Sequence, residues 1–496
     1  MKCILVTLLV MIPLFVFPAP PESNNVLRVG VNTFPANLNP VYTTDETSQA
    51  VVNKIFDALF EFDSNGAIAN RLVQSVFYAG DTDIQLVLKE GVRFSNGEEL
   101  TAADVEATVA CLLDERYKYP YVSNLAFISS LTAEGKYALR LKTKSPVAAW
   151  RNALTFKILC AAEIKGIGAK DLPSFRKGQL SGTGPYMMAA VEPPKRIILK
   201  RNPHSHSKSL YPALHYTVVA YPYLVPLKLL NREIDLCELQ PEDIPVYREK
   251  KSWQDNFKIL KYSKFGYTYL VFNLKNPAIT SKIRQLFYNA LVAGNFTSKF
   301  LRGRGEAVKS PFMLLSSEVK AMPMACEKIS PPVRLKIMTN SESQMRKRFI
   351  LFLKKELRPL GIELEPVFME YHSFLDCLKR KDFHLALSGF LLDIDYDMSD
   401  ILTSGSYFNY AGYSSPEMDR LLGAGLRELN PQKRKVIYLE GHNLWRRDLP
   451  LLPLFNLYYY VGVSQKVPVP ADTCRLMGSN GDFLQNIRHW KMTTNH

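Results

Sequence analysis

From residue 333 the chain reads VRLKIM (333–338), QMRKRFILFLKKELRPL (344–360), IELEPVF (362–368), YHSFLDCLKR (371–380) and FHLALSGF (383–390). The first, third and fifth of these segments are short and rich in apolar residues, as strands are. In the second and fourth segments, apolar residues recur every three to four positions, as in amphipathic helices. Gly361 follows the first helical segment, at the place where a helix is expected to end. This alternation predicts a parallel sheet with crossover helices, and therefore an α/β fold.

A loop with four carboxylates follows this stretch. In open parallel sheets ligands bind beyond the carboxyl ends of the strands, so we expect a site in the loop LLDIDYDMSD (391–400). Its spacing resembles the start of an EF-hand, but Met398 stands where glycine is required and Ser404 where the bidentate glutamate is required. Two interpretations stay open: a solvated surface turn, or a cleft loop in which one aspartate faces a cationic ligand group.

The bulk properties favour a folded protein of more than one packing unit. The chain has 496 residues, of which 47% are hydrophobic and 22% charged. Its formal net charge of +15 raises the question of nucleic acid, but lysine and arginine are spread along the whole chain between acidic residues. We therefore do not expect nucleic acid as a partner.

The N-terminus has the charge-then-hydrophobe order of a secretory signal. Lys2 precedes an apolar run from Ile4 to Phe17, which predicts a signal peptide over residues 1–20. Cys3 precedes the run instead of following it, so no lipid-modified cysteine is expected. The prediction is an exported, soluble, periplasmic protein. Six further cysteines are scattered without a C-x-x-C pair, and sequence does not pair them.

The search for catalytic motifs is negative. The chain has no H-E-x-x-H, no G-x-S-x-G, no P-loop and no dinucleotide fingerprint. We therefore expect no catalytic residue, no metal and no cofactor.

Local sequence patterns predict two further helices and a hairpin. Apolar positions at i, i+3, i+4 and i+7 predict a helix from Glu46 to about Phe60. Thr101 is placed to cap a helix that runs to about Asp114. The glycine-rich loop at 182–186, followed by an apolar run at 197–199, predicts a hairpin.

Several short motifs, taken in order, resemble the oligopeptide-, dipeptide- and nickel-binding proteins of ABC importers, which form solute-binding family 5. These motifs are Leu38–Pro40, Phe94–Gly97, Thr101–Val105, Gly182–Tyr186, Arg201–Pro203, Glu233–Asp235, Asn273, Ile283–Gln285, Gly303–Gly305, Pro311, Asn409, Tyr413, Asp419 and Asp448–Pro450. They span about 430 residues in register, although Arg232 stands where the family usually has glycine.

The resemblance implies a two-lobed fold of the type II periplasmic-binding-protein class, in its large three-subdomain variant, with a cleft that closes about a hinge. On this basis we expect lobe I to comprise residues 21–62, 185–265 and 455–496, with an inserted subdomain at 63–184. Lobe II is expected to comprise residues 266–454.

The resemblance also implies where a peptide's amino terminus is held. In the family, a glycine and an aromatic residue open the cleft loop, and an aspartate four places after the glycine takes the ammonium. The matching positions here are Gly389, Phe390 and Asp393. The acidic repeat leaves Asp395 and Asp397 as alternatives.

Backbone pairing with an extended peptide is expected at Gly389 and Leu391, with the segment around Pro40 and Tyr42 across the cleft. Some family members hold the peptide carboxylate with an arginine two residues before the glycine. This chain has Leu387 there, which leaves the carboxylate partner open.

The function implied by the resemblance is capture of short peptides by a monomer that delivers them to the membrane permease of an ABC importer. A nickel chelate, haem or a cell-wall peptide is the alternative on the same fold. A secreted hydrolase or a binder of anionic polymers is the alternative from another class.

Overall fold

The computed structural model describes residues 26–165, 180–207, 209–325, 328–470, 476–478, 481–485, 487 and 490. The predicted signal peptide, residues 1–20, lies outside these ranges.

Strands and helices alternate along most of the described chain. The strands are β1 Val26–Val31, β2 Phe60–Phe62, β3 Ile68–Asn70, β4 Val73–Gly80, β5 Asp83–Leu88, β6 Ile128–Ala133, β7 Ala138–Thr143, β8 Tyr186–Glu192, β9 Arg196–Arg201, β10 Ala213–Val218, β11 Leu236–Leu239, β12 Phe257–Lys264, β13 Gly266–Phe272, β14 Gly305–Ala307, β15 Val333–Asn340, β16 Ile362–Met369, β17 Leu385–Leu391, β18 Leu451–Ser464 and β19 Leu476–Met477. The helices are α1 Glu46–Ile55, α2 Ala102–Leu113, α3 Trp150–Ala153, α4 Ala161–Ile164, α5 Val225–Leu230, α6 Ile244–Glu249, α7 Lys251–Asn256, α8 Ser281–Tyr288, α9 Phe296–Leu301, α10 Gln344–Leu357, α11 Tyr371–Arg380, α12 Ser399–Leu402, α13 Pro416–Arg427 and α14 Pro431–Asp448.

The stretch from 333 to 391 folds as the sequence predicts. β15 pairs in parallel with both β16 and β17, and α10 and α11 are the crossovers. The apolar positions of α10, such as Phe349 and Leu353, are fully buried. Gly361 ends the helical segment of α10 and the 3-10 turn after it. It lies in the left-handed region at φ +85°, and a Cβ there would lie 2.0 Å from the Ile329 carbonyl oxygen, so only glycine fits.

The helix predicted from Glu46 to Phe60 is too long, since α1 ends at Ile55. The Ile55 carbonyl accepts a hydrogen bond from Gly184 N at 2.9 Å, so the incoming glycine loop stops the helix. Leu59 and Phe60 are buried as part of an extended segment instead. The predicted capping of α2 is correct, because Thr101 and Asp104 form a reciprocal capping box. The predicted hairpin is β8 and β9.

Two separate hydrophobic cores define two lobes. The core of lobe I extends from Leu27 to Trp490 and includes the four-stranded antiparallel sheet β4-β5-β7-β6. The core of lobe II lies between Tyr267 and Phe455. A smaller cluster, from Val219 to Tyr460, lies under α5 to α7. The residue boundaries of lobes and subdomain given above stay predictions.

Two strand segments cross from one lobe to the other. β18 pairs with β13 at its start and with β12 and β11 at its end. β12 passes into β13 through Phe265 alone. Gly266 follows, and a Cβ there would lie 2.2 Å from the Phe390 carbonyl oxygen, so β13 and β17 meet closely at the crossing.

No helix in the described part of the chain combines the length and the apolar character needed to span a membrane.

Candidate ligand-binding cleft

A cavity of about 620 Å³ separates the two lobes. The lobe I side contributes Pro40, Thr43 and Gln49 among others, together with Tyr119 and Tyr121 from the segment between α2 and β6 and Asn152 from α3. Lobe II contributes Leu391, Leu392, Asp393 and Asp400. This volume lies within the range typical of small-molecule sites. The predicted loop after β17 therefore does line a cleft.

The edge of β17 that faces away from β13 is open at its carboxyl end. Leu392 N donates to Phe265 O at 2.7 Å, so alternate residues Gly389 and Leu391 direct their backbone groups to the opposite edge. On that edge β15 pairs with β17 only as far as Ala386. Within the described residues, no strand lies beside Gly389 and Leu391. An extended chain can add there as a new strand.

Asp393 comes two residues after Leu391, at the next alternate position. It lines the cavity and its side chain is exposed. Two tyrosines of the opposite wall lie close enough to be affected by its charge. Burial raises the pKa of Tyr119 and of Tyr121, and the negative charge of Asp393 raises both further. The carboxylate therefore lies near an aromatic wall.

Asp395 and Asp397 are engaged within lobe II. The Asp395 carboxylate accepts two hydrogen bonds from the Arg434 guanidinium, at 2.6 and 2.7 Å. Asp397 accepts from both the backbone N and the hydroxyl of Ser399, at 2.9 and 2.6 Å. Burial raises the pKa of Asp397. These two aspartates stabilise the loop from within, whereas Asp393 faces the cavity.

Of the remaining predicted residues, Pro40 lines the cleft, whereas Tyr42 and Phe390 pack behind its surface. The Tyr42 hydroxyl donates to Tyr117 O at 2.6 Å, and burial raises the pKa of Tyr42 to about 12. The Phe390 ring packs against Tyr267 and Tyr269, with centroids 4.7 and 4.8 Å apart, and so supports the strand from the face opposite to Gly389.

Arg346 is a cation that sequence analysis missed. Its Nη1 lies 3.2 Å from the place that a Cβ on Gly389 would occupy. Its Nη2 donates to Asn340 Oδ1 at 2.8 Å, while its buried Nε has no hydrogen-bond partner in the described chain. Burial lowers the pKa of this guanidinium. The Arg346 guanidinium therefore lies beside β17 with only part of its hydrogen-bonding capacity used.

Sequence analysis also missed the aromatic wall and the contacts across the cleft. Tyr119 and Tyr121 flank Pro120. This aromatic pair in a loop is the sequence signal that could have identified them. Asn152 Nδ2 donates to Ile394 O at 3.3 Å. Ala148 N donates to Leu426 O at 2.8 Å, so the lobes are in contact across the cleft.

Within the described ranges, no group of three or more histidine, cysteine, aspartate or glutamate side chains is arranged to hold a metal ion.

Comparison with known proteins decides the family. The model of the bacterial extracellular solute-binding proteins, family 5, matches residues 68–411. The chain belongs to solute-binding family 5. The resemblance drawn from the sequence motifs is thus confirmed.

Relatives in family 5 cover most of the chain. The oligopeptide-binding protein AppA of Bacillus subtilis is 24% identical over 478 residues, which are 88% of this chain and 87% of AppA. The structure of AppA with a nonapeptide superposes with a TM-score of 0.72 at 21% identity and covers 94% of this chain and 98% of that one. NikZ of Campylobacter jejuni with Ni(L-His) gives a TM-score of 0.75 at 20% identity, covering 94% and 99%. The two-lobed type II binding-protein fold is confirmed.

Proposed function

We propose that this family 5 protein is the receptor of an ABC importer that captures short peptides in the cleft and delivers them to the membrane permease. It acts as an exported periplasmic monomer. The observation that carries the proposal is the open edge of β17 at Gly389 and Leu391, which ends at Asp393 in the cavity. A strand edge binds peptide backbone whatever its side chains.

Asp393 is the group that we assign to the peptide ammonium. It is preferred over Asp395 and Asp397 because Asp393 lines the cleft and they do not. Arg346 is assigned to a carboxylate of the ligand, since its buried guanidinium lies against Gly389 with an unused Nε donor. Pro40 lies in the facing wall, and Tyr42 packs behind it against the core of lobe I.

A peptide is favoured over a nickel complex bound directly by the protein. Imidazole suits nickel as a protein ligand, whereas carbonyl and carboxylate oxygens suit magnesium, calcium and manganese. The described lining of the cleft contains neither histidine nor cysteine. The similarity to AppA, named as oligopeptide-binding, supports the same choice.

Native mass spectrometry of the protein purified without denaturation tests the proposal. We expect bound masses that fragment as short peptides, and calorimetry with those peptides should show tight binding. A metal complex as the sole ligand, or turnover on an ester and peptide panel, would contradict peptide capture.

A further inference from the structure

A second cavity, of about 370 Å³, opens beside the cleft within lobe I. Its walls are strands β1, β11, β12 and β18, together with residues 481–484. Both cavities are lined by Glu46, at the start of α1, and by Gly481, so they adjoin there. We call this space the Glu238 cavity.

In the described part of the chain, three carboxylates line the Glu238 cavity, and two of them form ion pairs with a lysine. Lys264 Nζ pairs with Glu46 Oε1 at 2.7 Å. Asp482 is held by the buried Lys54, whose Nζ donates to both carboxylate oxygens at 2.7 and 2.8 Å. The Glu238 carboxylate accepts no hydrogen bond from the described residues. Burial raises the pKa of this carboxyl group, and the charge of Lys264 opposes the rise.

The rest of the wall is largely apolar. Val29 and Val31 on β1, Leu236 on β11 and Val461 on β18 face the cavity, and the Tyr262 ring closes another side. An apolar passage that ends at a carboxylate is complementary to a long methylene stem with a cationic head.

We propose that the Glu238 cavity is a subsite for a lysine or arginine side chain of the bound ligand. This inference rests on the proposed function, and it names a substrate class, peptides that carry a basic residue. The side chain passes Glu46 from the cleft, its stem packs on Val29 and Val461, and its head pairs with the Glu238 carboxylate.

Other occupants fit this wall less well. An anionic side chain would bring its charge against Glu238 and Glu46. A neutral aromatic side chain would fill the space but leave the carboxylate desolvated without a hydrogen bond, which costs free energy.

Calorimetry with matched peptide pools tests the subsite. One pool of tetrapeptides carries a single lysine at each position in turn. The other carries norleucine, which keeps most of the stem and lacks the ammonium. We expect the wild type to bind the lysine pool at least about 10-fold tighter, and Glu238→Gln to reduce that ratio to about 2-fold or less while its norleucine affinity stays unchanged.

Glu249→Gln is the matched control, because Glu249 is exposed on the same lobe and lines neither cavity. It should keep the wild-type preference. Equal melting temperatures for the two variants would show that Glu238→Gln folds normally.

The outcomes separate the subsite from peptide capture. If norleucine peptides bind but the lysine preference is absent, or persists in Glu238→Gln, the subsite is refuted and peptide capture stands. If neither pool binds to the wild type, both are refuted.

Discussion

The Asp395 carboxylate and the Arg434 guanidinium form a two-point ion pair in which the side chains are 14% and 10% exposed. The pair ties the loop after β17 to α14. Arg434 is further fixed by its Nε, which donates to Gly425 O at 2.8 Å. Because Asp393 lies only two residues before this anchor, the pair holds the cleft end of the loop in place.

Asp395→Asn should lower the free energy of unfolding by roughly 3 kcal/mol, since it leaves the Arg434 charge buried without its partner. Urea denaturation measures this. Asp382→Asn is the control because Asp382 is an exposed carboxylate of the same lobe. Equal stabilities for the two variants would show that the ion pair does not support the loop.

Gly266→Ala should destabilise the crossing between the lobes. The new Cβ would lie 2.2 Å from the Phe390 carbonyl oxygen, so β13 and β17 must separate. We expect a loss of about 2 kcal/mol or more in the free energy of unfolding, together with weaker ligand binding. Gly80→Ala meets nothing within 4 Å and should cost much less. Similar melting curves for the two variants would refute the close contact.

Histidine 442 should make stability depend on pH. It is buried, with Nδ1 3.0 Å from Ser310 Oγ, and burial followed by the charge of Arg446 lowers its pKa from 6.5 to about 4. Between these values the unfolded chain takes up a proton that the folded chain does not. The free energy of unfolding should therefore fall as the pH decreases from 6.5 to 4, by about 3 kcal/mol from this group.

Urea denaturation over that pH range, with His442→Gln beside the wild type, measures the contribution. The variant should lose this part of the pH dependence. His372→Gln, at an exposed histidine, should keep it. An unchanged pH profile in His442→Gln would mean that another group is responsible.

Asn152→Ala should weaken ligand binding by about 5-fold, because it removes a hydrogen bond of about 1 kcal/mol that joins the lobes at Ile394 O. Stopped-flow fluorescence should show faster dissociation with little change in association. An effect confined to association would contradict a role in holding the cleft closed.

Sequence reasoning was most accurate for secondary-structure elements that depend on local patterns of apolar residues. The strands and helices between 333 and 391 follow from apolar periodicity, and their bounds agree with the structure within a few residues. The end of α1 was wrong because the hydrogen bond from Gly184 comes from far along the chain. No local pattern contains that contact.

The candidate site was only partly accessible to sequence reasoning. Asp393 was predicted because ligand sites follow strand ends and because the motif order resembles family 5. Tyr121 and Glu238 come from separate regions that the fold brings to the two cavities, and Arg346 is brought beside Gly389. The roles proposed for them depend on burial and on contacts between distant segments, which local sequence patterns do not contain.

Equilibrium binding of a random tetrapeptide pool, offered with free and with acetylated amino termini, tests the central claim most directly. Losing a charge-assisted contact to Asp393 costs roughly 2 to 5 kcal/mol, or about 30-fold or more in affinity. The wild type should therefore prefer the free amino terminus by at least about 30-fold, and Asp393→Asn should bind both pools equally weakly. Tight binding of acetylated peptides by the wild type, or an unchanged preference in Asp393→Asn, would contradict the account.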